Sequence, residues 1–133
     1  MVIAAVMLAT ASAAVGQDNV ASAKSHFQKA TRLYEVGDYR QALDEFKAAH
    51  LAKPDAAFLY NIAQCHRQLG EAEQAVTLYK RFLVASPNVA NRAEVERRIS
   101  EIEADLAARK NNSAGIVAAA ARGRSPPFRP VAI

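Results

Sequence analysis

The sequence predicts an all-α protein, with antiparallel helical hairpins stacked as a short solenoid. Three observations carry that expectation. Phe58 to Pro87 reads as two amphipathic helices broken at Gly70. Leu59, Ile62, Ala63 and His66 mark one face of the first, and Ala75, Leu78, Tyr79 and Phe82 mark one face of the second. Both sets follow the i, i+3, i+4, i+7 spacing of a helix with a buried stripe. The stretch also has an upstream echo: Gly37, Ala42, Phe46, Ala49 and Pro54 recur thirty-three residues later as Gly70, Ala75, Tyr79, Phe82 and Pro87. A helix-turn-helix repeated at that period marks a helical repeat array. Finally, the chain is 51% hydrophobic but only 7% aromatic and has no Trp. Alanine supplies much of the apolar content, which suits close-packed helices better than a sheet core.

Length and charge bound the rest. The 133 residues leave room for one small domain. The formal net charge of +4 suggests nucleic acid at first sight. Yet Arg109, Lys110, Arg122, Arg124 and Arg129 lie beyond residue 108 with no acid among them, which leaves 12 basic against 13 acidic residues in the body. The basicity belongs to the tail, and phosphate binding needs a clustered positive surface. The single cysteine, Cys65, cannot form an intramolecular disulfide. Its place inside a helix reads as a small buried hydrophobe rather than a reactive thiol.

In chain order, residues 1–17 contain no charged side chain. The apolar run Val2 to Leu8, followed by the A-x-A form at Ala11-Ser12-Ala13, resembles a secretory signal peptide with no Lys or Arg before the run. The run is too short for a retained membrane span. Residues 22–36 are expected to form the first helix, with Phe27, Ala30, Leu33 and Tyr34 on its apolar face, and Gly37-Asp38 to break it. Tyr39 to Ala52 are expected to form the second, with Ala42, Leu43, Phe46, Ala49 and His50 inward. Lys53-Pro54-Asp55 stops it, because proline cannot continue a helix and disfavours helical geometry just before it.

Ala30, Leu33, Gly37-Asp38-Tyr39, Ala42, Phe46, Ala49 and Pro54 resemble a tetratricopeptide repeat, and Ala63, Gly70, Ala75, Tyr79 and Pro87 resemble a second in the same register. The small residues let paired helices approach closely, and Phe46 and Tyr79 fill the space beside them. The resemblance implies repeats at 23–55 and 56–88, closed by a capping helix at 89–110, within a domain spanning 22–110. Two departures stand out. The period is thirty-three rather than the family's usual thirty-four, and the second copy has Phe82 and Glu73 where the family favours alanine and tyrosine.

Within the capping segment, Val95, Ile99, Ile102 and Leu106 form a narrow apolar stripe. Arg92 with Glu96, Glu94 with Arg98, and Arg97 with Glu101 are i,i+4 opposite-charge pairs. The expected role is a polar-faced end to the array. The alternative is a structural homo-oligomer with no peptide ligand, assembled through the 95–106 stripe as a short coiled coil. Residues 111–133 carry Gly115, Gly123, Pro126, Pro127 and Pro130 without a sustained period, and are expected to form a disordered basic tail.

The sequence offers no catalytic constellation. His26, His50 and His66 fall on three helices without metal-ligand spacing, and no phosphate loop, nucleophile elbow or paired-carboxylate motif is present. No cofactor, metal or enzymatic activity is expected. His66 lies on an apolar stripe and reads as a packed, hydrogen-bonded core residue. By resemblance, the first helix of each hairpin lines a concave face. Lys24, Phe27, Gln28, Thr31 and Tyr34 would line it from one repeat, and Tyr60, Asn61, Gln64, Arg67 and Gln68 from the other. Phe27, Thr31, Tyr34, Tyr60, Asn61, Gln64 and Arg67 form the expected partner-binding groove, where rings supply apolar area and amides pair with a peptide backbone. Asn61 matches a position where many such repeats place an asparagine that contacts ligand backbone. Phe27 and Thr31 replace the basic residues of family members that grip C-terminal carboxylates, so that clamp is not expected. The whole reading is a non-catalytic protein–protein interaction module, exported to the periplasm or cell envelope of a bacterium, with a protein or peptide partner and no nucleic acid.

Overall fold

The computed structural model describes residues 11–123. It contains five helices: α1 (Ala11–Glu35), α2 (Tyr39–Ala52), α3 (Ala56–Gln68), α4 (Ala72–Ala85) and α5 (Arg92–Ala121). Each packs on the next in sequence, α1 on α2 through to α4 on α5. No strand is present among the described residues. The all-α solenoid expected from the periodicity is what forms.

The two hairpins share one turn. At the end of α1, Gly37 takes φ 85°, its N–H reaches the Tyr34 carbonyl, and the Asp38 N–H reaches the Leu33 carbonyl at 2.9 Å. At the end of α3, Gly70 takes φ 76°, its N–H reaches Arg67, and the Glu71 N–H reaches the His66 carbonyl at 2.9 Å. This is the Schellman closure, which satisfies the last helical carbonyls and needs a left-handed residue that glycine adopts without a Cβ penalty. The turns differ in their caps. Asp38 caps α2 by accepting from the Gln41 N–H, whereas Glu71 makes no side-chain cap on α4. Between the hairpins, Asp55 accepts from the Ala57 N–H at 2.8 Å and so starts α3 directly after Pro54.

The core falls in two parts. One joins the hairpins: Ala30, Ala42, Leu43, Phe46, Ile62 and Cys65 are all buried together. The other lies between the second hairpin and α5, around Ala63, Ala75, Tyr79, Phe82, Val95 and Ile99. Ala30, Ala42, Ala63 and Ala75 are wholly inaccessible, as expected of residues that set the closest approach of paired helices. The buried Cys65 thiol is pushed up to about 11 by desolvation. His66 is buried, and its Nδ1 lies 2.5 Å from a Glu71 carboxylate oxygen, a hydrogen-bonded core histidine.

Two boundaries differ from the sequence expectation. α1 is already helical at Ala11, the first described residue, rather than starting at 22. The earlier limit marked where the apolar period starts, but Ala13, Ala14 and Ala21 are strong helix formers, and Gly16 alone does not break the run. Likewise α5 continues to Ala121, eleven residues beyond the expected end at 110, so residues 111–121 are helical rather than irregular. The run Ala118 to Ala121 favours helix, and no proline falls in this stretch. This extension is otherwise solvated, with Ile116 and Val117 exposed. Residues 1–10 of the signal-like segment and 124–133 of the tail lie outside the described residues. Among the described residues, no helix is long and apolar enough to cross a membrane.

The stripe on α5 is largely used within the chain. Val95 and Ile99 are buried against α4 and Ile102 packs partly on the same cluster. The polar edge is laced by the expected pairs Arg92–Glu96, Arg98–Glu94 and Arg97–Glu101, together with Lys80–Glu103 between α4 and α5. Apart from the half-buried Arg98, these side chains are largely solvent-facing, and such pairs contribute about 0.2–0.5 kcal/mol each. This geometry caps the second hairpin.

Candidate functional site

α1 and α3 are the first helices of their hairpins and run side by side along one surface. Phe27, Thr31 and Tyr34 project from α1, and Tyr60, Asn61 and Gln64 from α3, around a hollow of about 300 Å³ floored by Phe46. Six of the seven residues expected to form the groove therefore meet at one place. Arg67 stands outside this lining and is exposed, as are Lys24, Gln28 and Gln68. Phe46, expected only as packing, also contributes to the floor.

The lining residues are held from behind. The Phe27 ring sits 5.9 Å from both Phe46 and Phe58, centroid to centroid. The Tyr60 ring sits 5.8 Å from Tyr79 and 5.4 Å from Phe82. Both rings thus serve the core and the hollow at once. Tyr34 packs edge-on against Tyr39 at 5.1 Å, and its hydroxyl accepts from the Gln68 side-chain amide at 3.3 Å. The Thr31 hydroxyl donates to the Phe27 carbonyl in its own helix, so it offers the hollow chiefly its methyl group.

The polar side is fixed at Gln64. Its Nε2 donates to the Tyr60 hydroxyl at 2.7 Å, while its Oε1 accepts from Arg67 and from Arg98, each at 3.2 Å. Two guanidinium donors on one oxygen set the amide orientation. Arg98 comes from α5, where it also pairs with Glu94. Sequence reasoning placed Arg98 only in an i,i+4 pair; its thirty-four-residue separation from Gln64, close to the repeat period, was the available signal. Asn61 makes no side-chain hydrogen bond among the described residues, which leaves a free amide donor and acceptor at the hollow. The surface therefore combines aromatic walls, one free amide, and two arginines beside its α5 end.

Residues 27–90 match the family model described as tetratricopeptide repeat. Over that segment the chain belongs to the tetratricopeptide repeat family. The match ends just before α5, so it spans the two hairpins read from the thirty-three-residue echo. Tetratricopeptide repeats are protein–protein interaction modules, typically without catalysis, and a protein partner follows from the family in that general form. No curated protein matches the chain.

A second and larger hollow, about 680 Å³, opens elsewhere on the tetratricopeptide hairpins. It lies between α2 and α4, on the face of α3 that carries Leu59, Ile62 and His66. Residues 60, 61 and 64 face one side of α3 and residues 59, 62 and 66 the other, as a period of 3.6 requires. This second hollow was not anticipated from the sequence. The available signal was Leu51 and Val84, aliphatic residues off the packed stripes, which are 83% and 82% exposed.

Proposed function

We propose that this protein is a non-catalytic adaptor of the bacterial cell envelope that binds a partner peptide in the hollow between α1 and α3. The observation that carries the reading is the convergence of Phe27, Tyr34 and Tyr60 with the unbonded Asn61 amide on one surface. Aromatic side chains offer large contact area at small entropic cost, and an asparagine amide pairs with both groups of a peptide unit. Rings anchored by core neighbours are preorganised, which lowers the ordering cost of association. Placement in the periplasm rests on the uncharged, apolar first seventeen residues with their A-x-A site.

The test is affinity capture from envelope extract with the wild-type chain and an Asn61→Ala variant as parallel baits. Asn61 is preferred to Tyr60, because removing the Tyr60 ring would also strip a neighbour from Tyr79 and Phe82. A protein captured by the wild type and lost with Asn61→Ala supports the groove. Equal capture by both baits sinks it. Cell fractionation with an antibody to the chain, finding it in the cytoplasm at full length, would remove the envelope assignment alone.

A further inference from the structure

The hollow between α2 and α4 differs in chemistry from the one between α1 and α3. Its floor is aliphatic, made of Leu59, Ile62 and Leu78, with the exposed Leu51 at its edge. Its walls are two helices, and each presents a cation: Lys47 from α2 and Arg81 from α4. Both are exposed, and neither joins an ion pair among the described residues. Glu73 is the one acid in the lining, against these two cations and the imidazoles of His50 and His66. The hollow does not stop there. A shallower depression shares Leu59 and Arg81 with it and extends along α4 to Val84. From Gln74 to Val84 the trough follows α4 for about three turns.

We propose that this trough is a second docking surface, and that its occupant is an acidic amphipathic helix of a partner protein. A helix laid between two helices presents residues at i, i+3, i+4 and i+7 to the floor, which is how amphipathic helices fill apolar grooves. Leucines at those positions meet Leu51, Leu59, Ile62 and Leu78. Flanking carboxylates meet Lys47 on one wall and Arg81 on the other. A basic helix with the same stripe is rejected, since it brings like charges against both walls. Because α3 carries a different hollow on each face, the protein is then a two-sided bridge. One face takes an extended peptide through rings and an amide, and the other takes a helix through aliphatic contact and charge. The proposal stands apart from the α1–α3 reading and survives its failure.

The test uses the full chain and two synthetic, fluorescein-labelled helical peptides with one leucine stripe, flanked by Glu in one and by Lys in the other. Fluorescence anisotropy at low salt is expected to show the Glu peptide binding at least about tenfold tighter than the Lys peptide, with the gap narrowing as salt rises. Lys47→Glu/Arg81→Glu is expected to invert the preference. Both side chains are exposed and unpaired, so circular dichroism of this variant should match the wild type. Asn61→Ala should leave the affinity within about twofold, since it lies on the opposite face of α3. Equal affinity for the two peptides, or a preference unchanged in the charge-reversed variant, overturns the proposal. So does a dimer of the chain, seen by sedimentation and lost with Leu51→Asp, because a second copy would then fill the trough.

Discussion

Laid one on the other in the thirty-three-residue register, the two hairpins share a skeleton and differ in what surrounds it. The same alanines, the same turn and the same ring position recur: Ala30 with Ala63, Ala42 with Ala75, Gly37 with Gly70, Phe46 with Tyr79. Elsewhere the chemistry changes sides. His26, Lys29 and Glu45 of the first hairpin correspond to Leu59, Ile62 and Leu78 of the second. In the first, Glu45 lies 2.6 Å from His26 Nδ1 and 2.5 Å from Lys29 Nζ, which hold its carboxyl below the usual carboxylate range. In the second, Leu59 and Ile62 are buried, each in one of the two core clusters, and with Leu78 they also floor the α2–α4 trough. The first hairpin therefore carries a polar surface at these positions and the second an aliphatic one. A difference of position in the array, rather than of fold, accounts for the substitution.

The cap residues diverge in the same spirit. Asp38 serves only its own turn, bonding Gln41. Its counterpart Glu71 gives up capping and instead joins Arg40 of α2 at 2.8 Å to His66 of α3. It ties the hairpins to each other. Its carboxyl is held below the ordinary value, first by the Arg40 hydrogen bond and then by His66.

The comparison breaks hardest at the rings. Phe46→Ala and Tyr79→Ala should each lower stability by about 3–5 kcal/mol in urea unfolding, since each empties a buried site beside an alanine seam. If one were nearly silent, the two hairpins would not be equivalent units. Gly37→Ala and Gly70→Ala should each cost about 1–2 kcal/mol, because both place a Cβ at positive φ; matching losses would confirm that one turn was used twice. Tyr79→Phe should go the other way. Among the described residues the buried Tyr79 hydroxyl has no hydrogen-bond partner within bonding geometry, and burial pushes the phenol above its usual value, so removing it should raise stability by about 1 kcal/mol. The first hairpin already carries phenylalanine there. The smallest effect is in acid. A carboxyl whose folded value is depressed stabilises above its ordinary value, near 4.5, and loses that contribution as pH falls through the folded value. The melting temperature should therefore drop on acidification below about 4.5. Glu71→Gln should flatten part of that drop, leaving the part due to Glu45.

Much of this was legible in the order of residues, and the reasons are local. The four hairpin helices, α1 to α4, announced themselves because each carries an apolar stripe, a glycine or proline stop, and a copy of itself. Helix period and hairpin order placed six of the seven expected residues around one hollow. Arg67 lies outside that lining, its guanidinium turned back to Gln64. The helical stretches 11–21 of α1 and 111–121 of α5 were missed, since helix propensity without packing leaves no periodic mark. The α2–α4 trough was missed for the opposite reason. Its floor residues, Leu59, Ile62 and Leu78, had already been assigned to the core, and a residue can serve the core with one side and a trough with the other.

One buried atom gives the seam between the hairpins a clock of its own. Cys65 Sγ sits among Ala30, Phe46 and Ile62, residues drawn from both hairpins. With the thiol pushed to about 11, only exposure to solvent makes it reactive near neutral pH. The rate at which a disulfide reagent labels the intact protein thus times the opening of this joint. A natural reporter stands where the two units meet, and no added label is needed to show how often that joint opens.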